Sequence, residues 1–136
     1  MSSSTYANNV GVTVVQKDIV SSTITTSDVA VFQTIGNGLI IDDCIVTTDS
    51  TGLAGGTSFV LKADGRTFFS TAVSGLGATA VKDIKNASVT GSKVVVPEGT
   101  KNITVANTVA VGTGAGKATV TLVCRKVDGN SSINPL

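Results

Sequence analysis

The chain has 136 residues, 10 basic and 9 acidic side chains for a formal net charge of +1, and no histidine or tryptophan. The missing histidine excludes Ser-His-Asp and Cys-His catalysis and most zinc sites. The balanced charge, with no run of three basic residues, argues against a nucleic-acid or anionic membrane surface, whose affinity rests on clustered Lys and Arg.

Valine, threonine and isoleucine supply 50 residues. These β-branched side chains suit a pleated surface, so the composition predicts an all-β chain. Its length fits one domain that buries roughly two thirds of the unfolded surface. Residues 1–9 are polar and lack periodicity. Ser2, Ser3, Ser4, Thr5 and Tyr6 show neither the charged start nor the apolar stretch of a secretory signal, and they read as a partner-binding arm on a chain made in the cytoplasm. Val10 to Val15, Asp18 to Thr26 and Asp28 to Ile35 read as strands, and Asn37-Gly38 as a turn. Leu39 to Thr48 reads as a long strand containing two acids, followed by a glycine-rich loop at 49–56. Thr57 to Ala63 and Thr67 to Ser70 flank Asp64-Gly65-Arg66, a strong hairpin signal. Residues 71–88 read mostly as loop, with a short helix over 78–86 as the alternative. Lys93 to Val96 is a strand stopped by Pro97-Glu98-Gly99. Asn102 to Val111 and Ala118 to Val127 are the last two strands, joined by Gly112-Thr113-Gly114-Ala115-Gly116 as a flexible hairpin turn. Eight to nine short strands at this spacing predict a single-domain β-sandwich or jelly-roll-like fold over 10–127, with a loose C-terminal tail at 128–136.

Few residues suggest chemistry. Gly112 to Lys117 departs from a phosphate loop: three residues rather than four separate the outer glycines, and a strand follows. Asp42 and Asp43 are adjacent on a strand, so simple alternation sends them to opposite faces, with one pointing inward or sitting at a sheet rim, as edge protection or an interface salt bridge. Alternation also places Cys44 with Ile40, Asp42 and Val46 on a mixed face, and Cys124 with Ala118, Val120 and Leu122 on an apolar one. For both cysteines the readings are a buried free thiol or a disulfide within or between subunits, with Cys44 the better candidate for an inter-subunit bond. Ile41, Ile45, Phe59, Leu61, Val120 and Leu122 are predicted core, as are the other phenylalanines. No cofactor or metal is expected. Residues 1–79 carry three bases and six acids, and residues 80–136 carry seven bases and three acids. One reading of that split is a two-poled molecule that associates acidic side to basic side. Only 14% of residues are charged and the mean hydropathy is positive, which suggests surface buried against a partner.

The order from Gly38 to Phe69 (strand, glycine-rich loop, strand, Asp-Gly turn, strand), followed by Pro97-Glu98-Gly99-Thr100-Lys101-Asn102-Ile103-Thr104-Val105 and Ala118 to Val127, resembles the head decoration (cement) proteins of tailed bacteriophages and related β-sandwich virion surface proteins. The resemblance covers roughly 90 residues and rests on style and order. It implies a non-catalytic protein on the capsid surface that binds the major capsid protein and neighbouring copies, often as a trimer, with a terminal arm at the contact. Two other readings are a bacterial surface or pilus-type subunit and a carbohydrate-binding module. The first would need a removed leader, against which the starting Met1 argues. The second is disfavoured by the scarcity of Trp and Tyr.

Overall fold

The computed structural model describes residues 11–85 and 90–136. Among them lie eleven strands: β1 Val12–Val20, β2 Val29–Ile35, β3 Leu39–Thr48, β4 Ser58–Ala63, β5 Arg66–Ala72, β6 Val81–Lys82, β7 Thr90–Gly91, β8 Val94–Val96, β9 Lys101–Asn107, β10 Lys117–Lys126 and β11 Ser132–Pro135. Single 3-10 turns at Ser21–Thr23 and Val73–Leu76 are the only helical pieces among these residues. Sheet A runs β1-β10-β3, with β6 and β8 both paired to β3; sheet B runs β11-β2-β9-β4-β5-β7. All pairings are antiparallel, and the inner faces of the two sheets share one apolar core. The all-β sandwich expected from composition is the fold.

The Asp64-Gly65 turn does what its chemistry demands. Both residues have positive φ, 50° and 80°, and Ala63 pairs with Arg66 across a two-residue loop. Every other described connection between successive strands crosses from one sheet to the other. That corrects the reading of Gly112–Gly116 as a hairpin: β9 lies in sheet B and β10 in sheet A. The segment packs tightly across the end of the sandwich. Ser21 N–H donates to Gly116 O at 2.8 Å, Gly112 N–H to Ile24 O at 2.8 Å and Thr113 N–H to Ala54 O at 2.8 Å. Glycine is required at 116, where a Cβ would meet Gly52 O at 1.8 Å.

Three register shifts interrupt the alternation. Each leaves one strand with an unmatched residue: Val31 in β2, Asp42 in β3 and Phe68 in β5. The bulge residue and its successor then share one environment. Val31 with Phe32 and Phe68 with Phe69 are buried, whereas Asp42 and Asp43 are both half-exposed. The shift in β3 explains two corrections. Ile45, expected in the core, is half-exposed opposite Thr121, because the strand's parity changes at Asp42. Cys44 takes the core position, sharing the inner face with Leu39, Ile41 and Val46. Ile41, Phe59, Leu61, Val120 and Leu122 are fully buried, as are all four phenylalanines. Phe59 and Phe69 meet edge to face, with ring centroids 6.3 Å apart.

Two further expectations change. The two strands read at 10–15 and 18–26 are one, β1, which ends in the first 3-10 turn. The C-terminal residues are not loose: β11 pairs with β2, burying Ile133 and Ser131. In the stretch read as mostly loop, 71–72 complete β5, and a 3-10 turn and the short β6 follow among the described residues.

Candidate functional site

The outer face of sheet A is where polar and apolar groups converge. Side by side across β1, β10, β3 and β8 lie Val12, Arg125, Ile40 and Val95. The next outward row is Val14, Val123 and Asp43, and the one after it Gln16, Thr121 and Ile45. Val12, Val14 and Val95 are 66%, 57% and 55% exposed. The face is therefore an apolar patch divided by a small charged cluster. Patches of this kind on a monomer mark contact surfaces when they are contiguous.

The bulge creates the cluster. Asp42 accepts two hydrogen bonds from Arg125, Nε to Oδ2 at 2.5 Å and Nη2 to Oδ1 at 3.0 Å, and Lys93 Nζ lies 3.5 Å from Oδ1. The bond from Arg125, reinforced by its charge and that of Lys93, holds the Asp42 carboxyl below the ordinary carboxylate range; the same pairing raises the Arg125 guanidinium. Asp43 Oδ1 accepts the Cys44 N–H at 2.8 Å, satisfying a backbone donor beside the bulge. Beside them is a depression of about 240 Å³ lined by Asp42, Asp43, Asp83, Ile84, Lys85 and Lys93. The expectation that the two aspartates point to opposite faces is corrected, because both lie on the outward side. A carboxylate held below its ordinary range by Arg and Lys is suited to orienting a contact. Among the described residues no group of three or more Cys, Asp or Glu is placed to hold a metal ion. Lys17, opposite the buried Val120 on edge strand β1, donates from Nζ to Leu136 O.

Directly behind the cluster sit Cys44 and Cys124, both free and fully buried. Burial raises both thiols, Cys44 far above its ordinary value and Cys124 to about 12. In this structure both sulfurs are unbonded and enclosed by the core.

Part of the charge split along the chain is taken up within one molecule. Three of the four ion pairs among the described residues, Lys93–Asp42, Arg125–Asp42 and Lys101–Asp64, join the basic half to the acidic half within one molecule. At the glycine-rich end of the sandwich, Asp49 accepts N–H bonds from Gly52 at 2.8 Å, Thr51 at 3.0 Å and Lys117 at 3.1 Å, led in effect by Gly52, and these hold its carboxyl below the ordinary range. Sequence reading singled out neither Asp49 nor the role of Arg125. Asp49 was legible in principle as an Asp opening a glycine turn; the Arg125 contact depends on cross-strand register.

The proposed arm residues Ser2, Ser3, Ser4, Thr5 and Tyr6 lie outside the described residues. No helix among the described residues is long and apolar enough to cross a membrane. Comparison of the chain with protein-family models, with curated proteins and with solved structures found no match.

Proposed function

We propose that the chain is a non-catalytic virion structural protein that decorates and stabilises a bacteriophage capsid by binding the major capsid protein and neighbouring copies. The resemblance in strand and turn order supplies the virion setting. The observation that carries the structural half of the reading is the exposed apolar face of sheet A, with Val12, Val14 and Val95 standing in solvent around the Arg125–Asp42–Lys93 cluster. Burying such a face contributes about 25 cal/mol per Å² of apolar surface before association costs are subtracted. The ion pairs at its centre then fix orientation more than affinity. In this reading residues 1–9 reach the shell as an arm, and the protein acts on the capsid surface after synthesis in the host cytoplasm. The four buried phenylalanines leave no phenylalanine platform for a sugar among the described residues, which favours this reading over a carbohydrate-binding module.

The test is cosedimentation of the purified chain with shells assembled from the major capsid protein of the phage that encodes it. Saturable binding is expected, weakened at least ten-fold by a Val12→Lys, Val95→Lys double variant. Deleting residues 1–9 is expected to weaken binding while leaving the melting temperature nearly unchanged. Absence of the chain from purified particles, together with no shell binding, overturns the proposal.

A further inference from the structure

Among the described residues five strands lie at sheet edges, and four of them are blunted. β6 and β7 have two residues each. β8 has three, its Val95 carbonyl accepts a hydrogen bond from Arg66 Nη2, and Pro97 follows it. β11 has four and ends in Pro135. Short strands, prolines and capped backbone groups are the devices by which sheets avoid pairing with other chains.

β1 carries none of these along its first half. It is nine residues long, without proline, and its register with β10 is unbroken. In an antiparallel edge strand, alternate residues direct N–H and C=O groups away from the sheet. Among the described residues, no backbone group takes up those of Val12 to Gln16. The open stretch stops at Lys17, which is tied to the C-terminal residue. A strand this long and this apolar on its outer face is a template for strand addition.

We infer that β1 pairs edge to edge with β1 of a second copy, antiparallel across a two-fold axis at Val14, so that sheet A continues through the dimer. The strand's own side chains identify the occupant. Pairing must set outer face against outer face, which allows a two-fold on a residue but not between residues. An axis at Lys17 would set Lys17 against its copy, and an axis at Asp18 would set Asp18 against its copy, like charges directly opposed. An axis at Val14 matches the whole open stretch to itself: Val14 on Val14, Val12 on Gln16 and Thr13 on Val15. It opposes no charges, and it joins the Val12, Val14 and Val123 rows of both copies into one apolar belt. A contact of this kind is isologous and closes as a pair. It yields dimers, or assemblies built of dimers, rather than the trimer implied by the resemblance, and it does not depend on the proposed function.

The experiment is sedimentation of the full chain, with cysteine cross-linking. Directly opposed residues have Cα atoms about 4.5–5.5 Å apart, inside the range of about 4.4–6.8 Å that a disulfide spans. Wild type is expected as a dimer at micromolar concentration. Val14→Lys is expected to weaken self-association at least ten-fold, with a melting temperature equal to wild type's at dilutions where both are monomeric. Val14→Cys is expected to give a reductant-sensitive dimer band under mild oxidation, against the background of two buried native thiols. Val81→Cys, equally exposed on the opposite edge of sheet A, is expected to give none. A wild type that stays monomeric at the highest soluble concentration overturns the inference. So does a Val14→Lys protein that associates like wild type, or cross-linking through Val81→Cys as efficient as through Val14→Cys. Should Val14→Lys fail to fold, the paired cysteine variants decide alone.

Discussion

Truncating Leu122 and Ile45 to alanine separates the observed register of sheet A from the one that simple alternation would give. Leu122 lies on β10 between Val15 and Cys44, with no exposed surface. Leu122→Ala removes about three methylene equivalents, worth about 0.8 kcal/mol each. A residual cavity of about 50 Å³ adds about 1.2 kcal/mol at about 24 cal/mol per Å³. The expected loss is about 3–4 kcal/mol. Ile45 is one row away on the outer side of the same sheet, half-exposed opposite Thr121. Its truncation leaves no enclosed cavity and should cost about 1 kcal/mol or less. Urea unfolding followed by far-ultraviolet circular dichroism, with slopes compared to confirm two-state behaviour, reads both values. An Ile45→Ala loss equal to that of Leu122→Ala would put Ile45 in the core and remove the bulge at Asp42. A Leu122→Ala loss under about 1 kcal/mol would place that side chain at the surface.

Other consequences are as direct. A thiol reagent should find no fast-reacting cysteine in the native protein and two in denaturant, since Cys44 and Cys124 are buried with raised thiol values; one fast native thiol would contradict the assigned parity of its strand. Asp42→Asn should lower stability at neutral pH, with the deficit closing in acid. The folded-state carboxyl is depressed below its ordinary 3.8, so its contribution is present above that value and lost as pH falls through the folded one; a pH-independent deficit would assign the effect to packing. Gly116→Ala should destabilise strongly or prevent folding, because the added Cβ meets Gly52 O at 1.8 Å; near-neutral behaviour would refute the close approach of the two loops.

What the sequence revealed depended on whether the signal was local. The Asp64-Gly65 hairpin was readable because two adjacent residues carry the whole requirement for positive φ. The buried phenylalanines were readable because the chain offers few alternatives for its core. The bulges at Val31, Asp42 and Phe68 were not, since an inserted residue leaves composition unchanged while reversing the parity of all that follows. This is why Asp42 and Asp43 were singled out yet assigned to opposite faces, and why Cys44 and Ile45 exchanged places. Gly112–Gly116 was recognised as a turn, but glycine chemistry does not say whether the next strand joins the same sheet or crosses to the other. Residues 132–135 form a short segment with one large apolar side chain, Ile133, and become a strand only because β2 offers an edge. The pairing of Asp42 with Arg125 spans 83 positions and follows from register alone.

The topology also has a kinetic consequence. Between successive strands, β4–β5 is the one described pairing within a sheet; β1 with β10, β2 with β9 and β3 with β10 all join distant segments. Closing such loops costs entropy before any contact offsets it, so the chain should fold on the millisecond-to-second scale typical of β-sandwiches. The β4–β5 hairpin can form first, at the lowest closure cost. It also carries Leu61 opposite Phe69 and Phe59 opposite Thr71, enough buried apolar surface to seed the core. Gly65 sits at φ 80° with open space where a Cβ would be, so Gly65→Ala perturbs the turn's backbone and nothing around it. The expected cost is about 1–2 kcal/mol, the usual penalty for a left-handed non-glycine residue. If the hairpin is formed in the transition state, most of that cost appears as slower folding, about five- to thirty-fold at 1–2 kcal/mol, with the unfolding rate nearly unchanged. Stopped-flow refolding and unfolding across a range of urea concentrations separate the two limbs. An effect confined to the unfolding limb would mean that the hairpin closes late, and that a long-range pairing such as β10 with β3 forms the nucleus.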